Sequence, residues 1–223
     1  MKDPKEGRIF NAAAELLDRN VALRGDKVAI FCGDERVTYK DLEKNVNKFA
    51  NVLKALGVKP AERVMIVLPD TPAFMYAFLG SIKFGAWPVA VNTMLQENDY
   101  EYMLDNSDAR VLVTVHDSKA ARAKSTQFCY KLLADHGLDS LMESASDEAE
   151  TYPSQKEDIA FWLYSSGSTG RPKGVPHRHI DMIHSADNYG KKVLGITERD
   201  VCYSVSKIFF AYGLGNGLHI PFR

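Results

Sequence analysis

Three short apolar runs constrain this chain more than any other feature: Arg63 to Leu68 (RVMIVL), Trp87 to Val91 (WPVAV) and Arg110 to Val115 (RVLVTV). Each has the length and β-branched content of a buried strand. The segments between them read as helices. One covers residues 73–84; Asp70-Thr71-Pro72 suits its start and Gly85 its end. The other covers Gln96 to Asn106, with Tyr100, Met103 and Leu104 facing inward. Strands alternating with helices predict a parallel sheet with helices packed on its faces. Upstream, Ile9 to Asn20 reads as a short helix, and Lys27–Cys32 and Arg36–Thr38 flank Gly33-Asp34-Glu35 as a hairpin. Thr38 with Asp41 makes a variant of the capping box. Behind it, Leu42, Val46, Phe49, Leu53 and Leu56 form a helical core stripe that stops at Gly57.

A further apolar run, Ile159 to Tyr164, empties into Ser165-Ser166-Gly167-Ser168-Thr169-Gly170-Arg171-Pro172-Lys173-Gly174. Glycines at 167, 170 and 174 allow positive φ and let backbone N–H groups approach a ligand. The hydroxyls add donors, and Arg171 and Lys173 add positive charge, which together suit a loop wrapped around phosphate oxygens. A nucleotide-hydrolase loop needs Gly-Lys followed by Ser or Thr, whereas Gly174 follows Lys173. A dinucleotide fingerprint needs G-x-G-x-x-G, which these spacings do not supply. The plain alternative is a flexible Gly/Ser linker, but a linker seldom follows a strand at once or ends in Pro-Lys-Gly. The expected arrangement is a doubly wound α/β fold, with Ile159–Tyr164 a central strand and the loop at its C-terminal end.

The stretch YSSGSTGRPKGV resembles the phosphate-loop signature of the adenylate-forming (AMP-binding) superfamily. A second block, Lys207 to Asn216 (KIFFAYGLGN), is similar to the acyl-pocket motif of the same enzymes, in the wording of benzoate- and 4-hydroxybenzoate-CoA ligases. The segments LEKNVNKFANVLKALGV and GAWPVAVN also resemble the N-terminal part of that fold. The resemblance implies an incomplete N-terminal adenylation domain, built of parallel-sheet layers flanked by helices. Its parts would be residues 1–115, a divergent connection over 116–158, and 159–223, with the C-terminal domain absent.

The implied reaction joins an aromatic carboxylic acid to AMP, releasing pyrophosphate, and passes the acyl group to coenzyme A. Ser165, Ser166, Gly167, Ser168, Thr169, Gly170 and Lys173 would grip the ATP phosphates, with Thr169 touching Mg²⁺. Phe210, Ala211, Tyr212 and Gly213 would line the aryl pocket, Phe210 gating it and Ala211 leaving room for a flat ring. From the residues alone Tyr212 reads equally well as a core aromatic. No counterpart of the family's catalytic lysine or acidic metal ligand is found in these 223 residues. Two readings follow: part of an ATP-dependent aryl-CoA ligase, or a truncated, non-catalytic remnant that binds nucleotide weakly.

With 45% hydrophobic residues the chain can bury a sizeable core, and a net charge of −1 gives no reason to expect nucleic acid or an anionic membrane as partner. Cys32, Cys129 and Cys202 are scattered, which suits reduced thiols in cytoplasm. The N-terminus lacks the pattern of a signal or transit peptide, and no stretch approaches the ~20 apolar residues of a membrane span.

From His116 to His136 the periodicity degrades and no strand is legible, which points to a gap in the resemblance. Ser144 to Asp158, rich in Glu and Asp, reads as a solvated loop. Ile180 to Lys192 reads as a helix and Asp200 to Val205 as a strand. His177 and His179 lack a further ligand cluster nearby and read as polar contacts flanking the loop rather than metal ligands.

Overall fold

The computed structural model describes residues 9–125, 130–166 and 170–223. Helix α1 (Ala12–Arg24) starts where the Asn11 side chain accepts a hydrogen bond from the Ala13 amide. Strands β1 (Val28–Cys32) and β2 (Glu35–Thr38) form the expected antiparallel hairpin. At Thr38 the capping box is present in both halves: its Oγ1 accepts from the Asp41 amide at 3.1 Å, and its amide donates to Asp41 Oδ2 at 3.3 Å. Two of the orphan donors at the start of α2 (Tyr39–Ala55) are thereby satisfied.

The main sheet is built from β3 (Arg63–Ile66), β4 (Trp87–Ala90) and β5 (Ala109–Thr114), joined through α3 (Pro72–Phe84) and α4 (Glu97–Ser107). After α5 (Lys119–Arg122) come β6 (Tyr130–Leu133) and α6 (Leu138–Ser144), then β7 (Ile159–Ser165) and β8 (Lys173–Arg178). The spatial order is β6-β5-β3-β4-β7-β8. All neighbours are parallel except β7 and β8, which run antiparallel.

Alternate side chains along the strands enter opposite layers, as the two-residue period requires. Val64, Ile66 and Leu68 face a core shared with Leu16 of α1, Phe49 of α2 and Phe78 of α3. Met65 and Val67 face a smaller one with Tyr100, Met103 and Leu104 of α4. Both faces of the sheet are therefore covered. The stripe expected on α2 packs as read, with Leu42, Val46, Phe49 and Leu53 buried. Burying each such side chain contributes about 1.5–3 kcal/mol.

Several expectations are corrected. A strand does exist in the stretch 116–136, since β6 pairs with β5 from Val111↔Tyr130 to Thr114↔Leu133. Tyr-Lys-Leu-Leu is short and lies at the sheet edge with Lys131 exposed, so it carries no buried apolar run. Strand β7 lies inside the sheet as expected, between β4 and the edge strand β8. Helix α7 (His179–Ser185) passes into a π-helical turn over Ala186–Lys191.

The acidic stretch after α6 is a loop, as read, but its backbone is fastened to the fold. Asn47 Nδ2 donates to the Asp147 carbonyl at 2.8 Å, the Tyr152 amide donates to the Lys83 carbonyl, and the Phe10 amide to the Ser154 carbonyl. Asp200–Val205 is not a strand here. Its alternation survives without a ladder partner among the described residues, and Val201, Tyr203 and Val205 are 76, 87 and 83% exposed. Alternation specifies two faces; a strand also needs an edge to pair with.

Candidate functional site

The glycine-rich segment spans the open end of a hairpin. Ladder pairs run from Ile159↔Arg178 through Tyr164↔Gly174 to Ser165↔Lys173. The register sets Ser165 opposite Lys173 at the C-terminal end of β7, with residues 166–172 as the connection. Ser165, Ser166, Gly170 and Lys173 are all exposed. Gly170 has φ 107°, a conformation that side chains rarely adopt. Gly167, Ser168 and Thr169, including the expected Mg²⁺ contact, lie outside the described residues.

Helix α4 holds both flanks of this loop. On the way in, Tyr164 Oη donates to Asn106 Oδ1 at 2.9 Å and lies 3.2 Å from the Met103 carbonyl. Burial pushes that phenol well above its ordinary range. On the way out, Tyr102 Oη donates to the Pro172 carbonyl at 3.0 Å, and the Arg171 guanidinium lies over the Tyr102 ring at 4.9 Å. Among the described residues neither Arg171 nor Lys173 has a carboxylate partner. The loop thus offers hydroxyls, backbone N–H groups and an unpaired ammonium at a strand end, a set that can bind an anion with charge-assisted hydrogen bonds.

The second motif forms a short helical assembly. Phe210 caps α8 (Ala211–Leu214), a π-helical turn follows over Gly215–His219, and α9 (Ile220–Phe222) completes it. Its base is anchored by Asp70, which accepts from the Ile208 amide at 3.2 Å and lies 3.3 Å from Lys207 Nζ. A Cβ at Gly213 would sit 2.0 Å from the Lys207 carbonyl oxygen, so only glycine fits there.

Of the expected aryl-pocket residues, Gly213 is buried, whereas Phe210 is 45% and Tyr212 65% exposed and Ala211 is also exposed. The described residues do not enclose them. A cavity of about 790 Å³ lies elsewhere, against β1, Tyr39, Cys202 and Arg223, and neither motif's expected contact residues line it.

The loop strand and the acyl-motif helix meet through His219. Its ring packs edge-on to Phe161 of β7 at 5.7 Å, while His177 stacks on the same Phe161 at 4.7 Å. His219 is buried, its Nε2 has no hydrogen-bond partner among the described residues, and burial lowers its pKa to about 3. His179 accepts from the Ala12 amide at 3.0 Å and is lowered to about 4, again by burial. His177 and His179 therefore serve packing and one backbone contact, and among the described residues no three His, Cys, Asp or Glu side chains gather as metal ligands. The roles of Asp70, Tyr102 and His219 are not legible in the sequence.

The AMP-binding enzyme family matches residues 17–223. The chain is 42% identical over 222 residues to a benzoate–CoA ligase from Thauera aromatica, covering 95% of this chain and 42% of that protein. It is 36% identical to a 4-hydroxybenzoate–CoA/benzoate–CoA ligase from Rhodopseudomonas palustris, over 96% and 42% of the two chains. Among solved structures, a benzoate CoA ligase from Burkholderia xenovorans superposes with a TM-score of 0.87 at 38% identity, covering 96% of this chain and 43% of that one. An anthranilate CoA ligase in complex with anthranoyl-AMP superposes with a TM-score of 0.91 at 31% identity, over 99% and 45%. These alignments run through 116–136, so that stretch is no large gap in the likeness. Family match, sequence identity and superposition agree: this chain belongs to the AMP-binding enzyme family and corresponds to the N-terminal part of its longer members.

Proposed function

We propose that the chain is the N-terminal part of an ATP-dependent aryl-CoA ligase acting on a benzoate-type acid in the cytoplasm. The observation that carries this reading is the hairpin register. It sets Ser165 beside Lys173, which has no carboxylate partner among the described residues, at the strand end of a chain 42% identical to a benzoate–CoA ligase. In the first half-reaction the carboxylate oxygen attacks the α-phosphorus, the bond to the bridging oxygen breaks and pyrophosphate leaves. Two anions must meet, so the residues that matter first are those that neutralise the β- and γ-phosphates and keep the leaving group in line.

Lys173 supplies the charge, and Ser165, Ser166 and the loop amides supply directional donors. Phe210, Ala211, Tyr212 and Gly213 would form one wall of the acid's site. In the second half-reaction the thiol of coenzyme A displaces AMP from the aryl-adenylate. Mg²⁺ belongs to this proposal as the partner of ATP; the described residues by themselves form no cluster of ligands for it.

The test is pyrophosphate release with ATP, Mg²⁺ and benzoate, then thioester formation with coenzyme A, by a protein carrying these residues within a full-length ligase. Benzoate-dependent release of both products is expected; activity with short aliphatic acids alone would overturn the aryl assignment.

A second reading applies to residues 1–223 by themselves. They span 42% of the length of the first relatives, and nothing described here closes over the acid. On this reading the isolated chain is a nucleotide-binding module without ligase activity. Turnover by a purified, monodisperse sample of residues 1–223 would refute it.

A further inference from the structure

We propose that Tyr102 is a positioning residue for the phosphate loop, seating the loop's exit so that Lys173 begins the β8 ladder opposite Ser165. The proposal rests on the reading of 165–173 as a phosphate-binding loop. Its observations are independent of that reading. One side chain makes two contacts to successive loop residues: the hydroxyl donates to the Pro172 carbonyl at 3.0 Å, and the ring lies under the Arg171 guanidinium at 4.9 Å.

Proline has no N–H, so its carbonyl is the one backbone group by which position 172 can be hydrogen-bonded. Tyr102 occupies that group one residue before the ladder starts at Lys173. Gly170 is at positive φ, and a fixed point two residues later limits where the exit can go.

The surroundings support a bracket rather than an isolated contact. Tyr164, the residue before the loop's first serine, donates to Asn106 on the same helix, so α4 holds the strand leading in as well as the segment leading out. The next residues along α4, Met103 and Leu104, are buried in the smaller core, which fixes the helix from which Tyr102 reaches. Tyr102 itself is half-buried against that core, so its ring has a structural share and its hydroxyl a separate one.

Arg171, one residue ahead of Pro172, is held on the Tyr102 ring by the attraction of a cation for an aromatic face. This leaves Lys173 as the cation aligned with Ser165. The consequence is a division of labour. Lys173 meets the anion, while Tyr102 touches no ligand and acts by reducing the range of loop conformations that must be ordered on binding.

The test separates this role from general packing and from failure of the phosphate-loop reading. Hydrogen exchange is followed in residues 1–223 for wild type, Tyr102→Phe, Tyr102→Leu and Lys173→Ala. Faster exchange confined to the peptide 165–174 is expected in Tyr102→Phe, more so in Tyr102→Leu, with α4 and β3 unchanged and no effect of Lys173→Ala. Unchanged exchange at 165–174, or acceleration spread along α4, would overturn the proposal.

In parallel, binding of ATP and of inorganic tripolyphosphate is measured by calorimetry. Loss of the hydroxyl is expected to weaken both about 2- to 10-fold, the range of one neutral hydrogen bond, and Lys173→Ala is expected to weaken them more. If Lys173→Ala weakens binding and Tyr102→Phe does not, Tyr102 has no positioning role. If wild type binds neither probe, the phosphate-loop reading fails for this chain, and with it the role of Tyr102 in presenting Lys173.

Discussion

The imidazole of His219 meets the ring of Phe161 edge-on at 5.7 Å, with Ser185 Oγ 3.4 Å from its Nδ1. This contact joins the helical segment after the acyl motif to the strand that leads into the loop. Through it the two motifs, 32 positions apart at their nearest ends, share one packing unit. An imidazole so placed packs as a neutral aromatic, and its proton affinity becomes a stability term.

Acid should therefore loosen this unit. His219 and His179 have folded pKa values of about 3 and about 4, below the ordinary 6.5, because burial penalises the charged ring. Between pH 6.5 and these values the unfolded chain binds more protons than the folded one. Stability is full above about 6.5 and falls as pH drops, by up to ~1.4 kcal/mol per pH unit for each group. Urea unfolding at pH 7.5 and pH 5 should give a lower midpoint in acid, with the difference reduced in His219→Phe. Equal midpoints for wild type would contradict the assignment.

Lys173→Ala should weaken ATP use more than aromatic-acid use in a full-length ligase carrying these residues. Losing a charge-assisted contact costs about 1.5–3 kcal/mol, or roughly ten- to a hundredfold in affinity. The measurement is KM for ATP against KM for benzoate. An unchanged ATP dependence would remove Lys173 from the site.

Gly213→Ala should destabilise the acyl-motif helix. The added carbon would lie 2.0 Å from the Lys207 carbonyl oxygen, a backbone atom that cannot swing aside as a side chain can. Overpacking of this kind costs about 1–3 kcal/mol. Chemical denaturation should show a lower midpoint with an unchanged slope, whereas a wild-type midpoint would mean that the 207–213 turn has room to relax.

Residues 1–223 purified alone should self-associate. Val201, Tyr203 and Val205 project from a segment with strand alternation and no ladder partner among the described residues, an arrangement that invites pairing with another chain. Sedimentation velocity should detect oligomers that Val201→Ser combined with Val205→Ser reduces. A monodisperse monomer would show that the segment is covered in solution.

Sequence by itself determined the elements whose causes are local. The Thr38–Asp41 capping box and the Leu42, Val46, Phe49, Leu53 stripe each state their structure within one or two turns of chain. The runs at β3, β4, β5 and β7 are long or apolar enough to be read as strands, and glycine and lysine spacing marked the loop. The helix after Thr71 was equally legible, since proline at its start and glycine at its end punctuate it.

Tertiary structure decided what depends on partners distant in sequence. Tyr-Lys-Leu-Leu becomes β6 because it pairs along the β5 edge, whereas Asp200–Val205 stays irregular with no ladder partner among the described residues. The antiparallel return of β8 was not visible either, because hairpin register is set by the cross-strand ladder and not by the residues of the loop. Nor could sequence show that Asp70 anchors Ile208 and Lys207, 137 and more positions away, or that Tyr102 holds Pro172. Such contacts carry no local pattern: they arise when packing brings together a donor and an acceptor that propensity and periodicity leave independent.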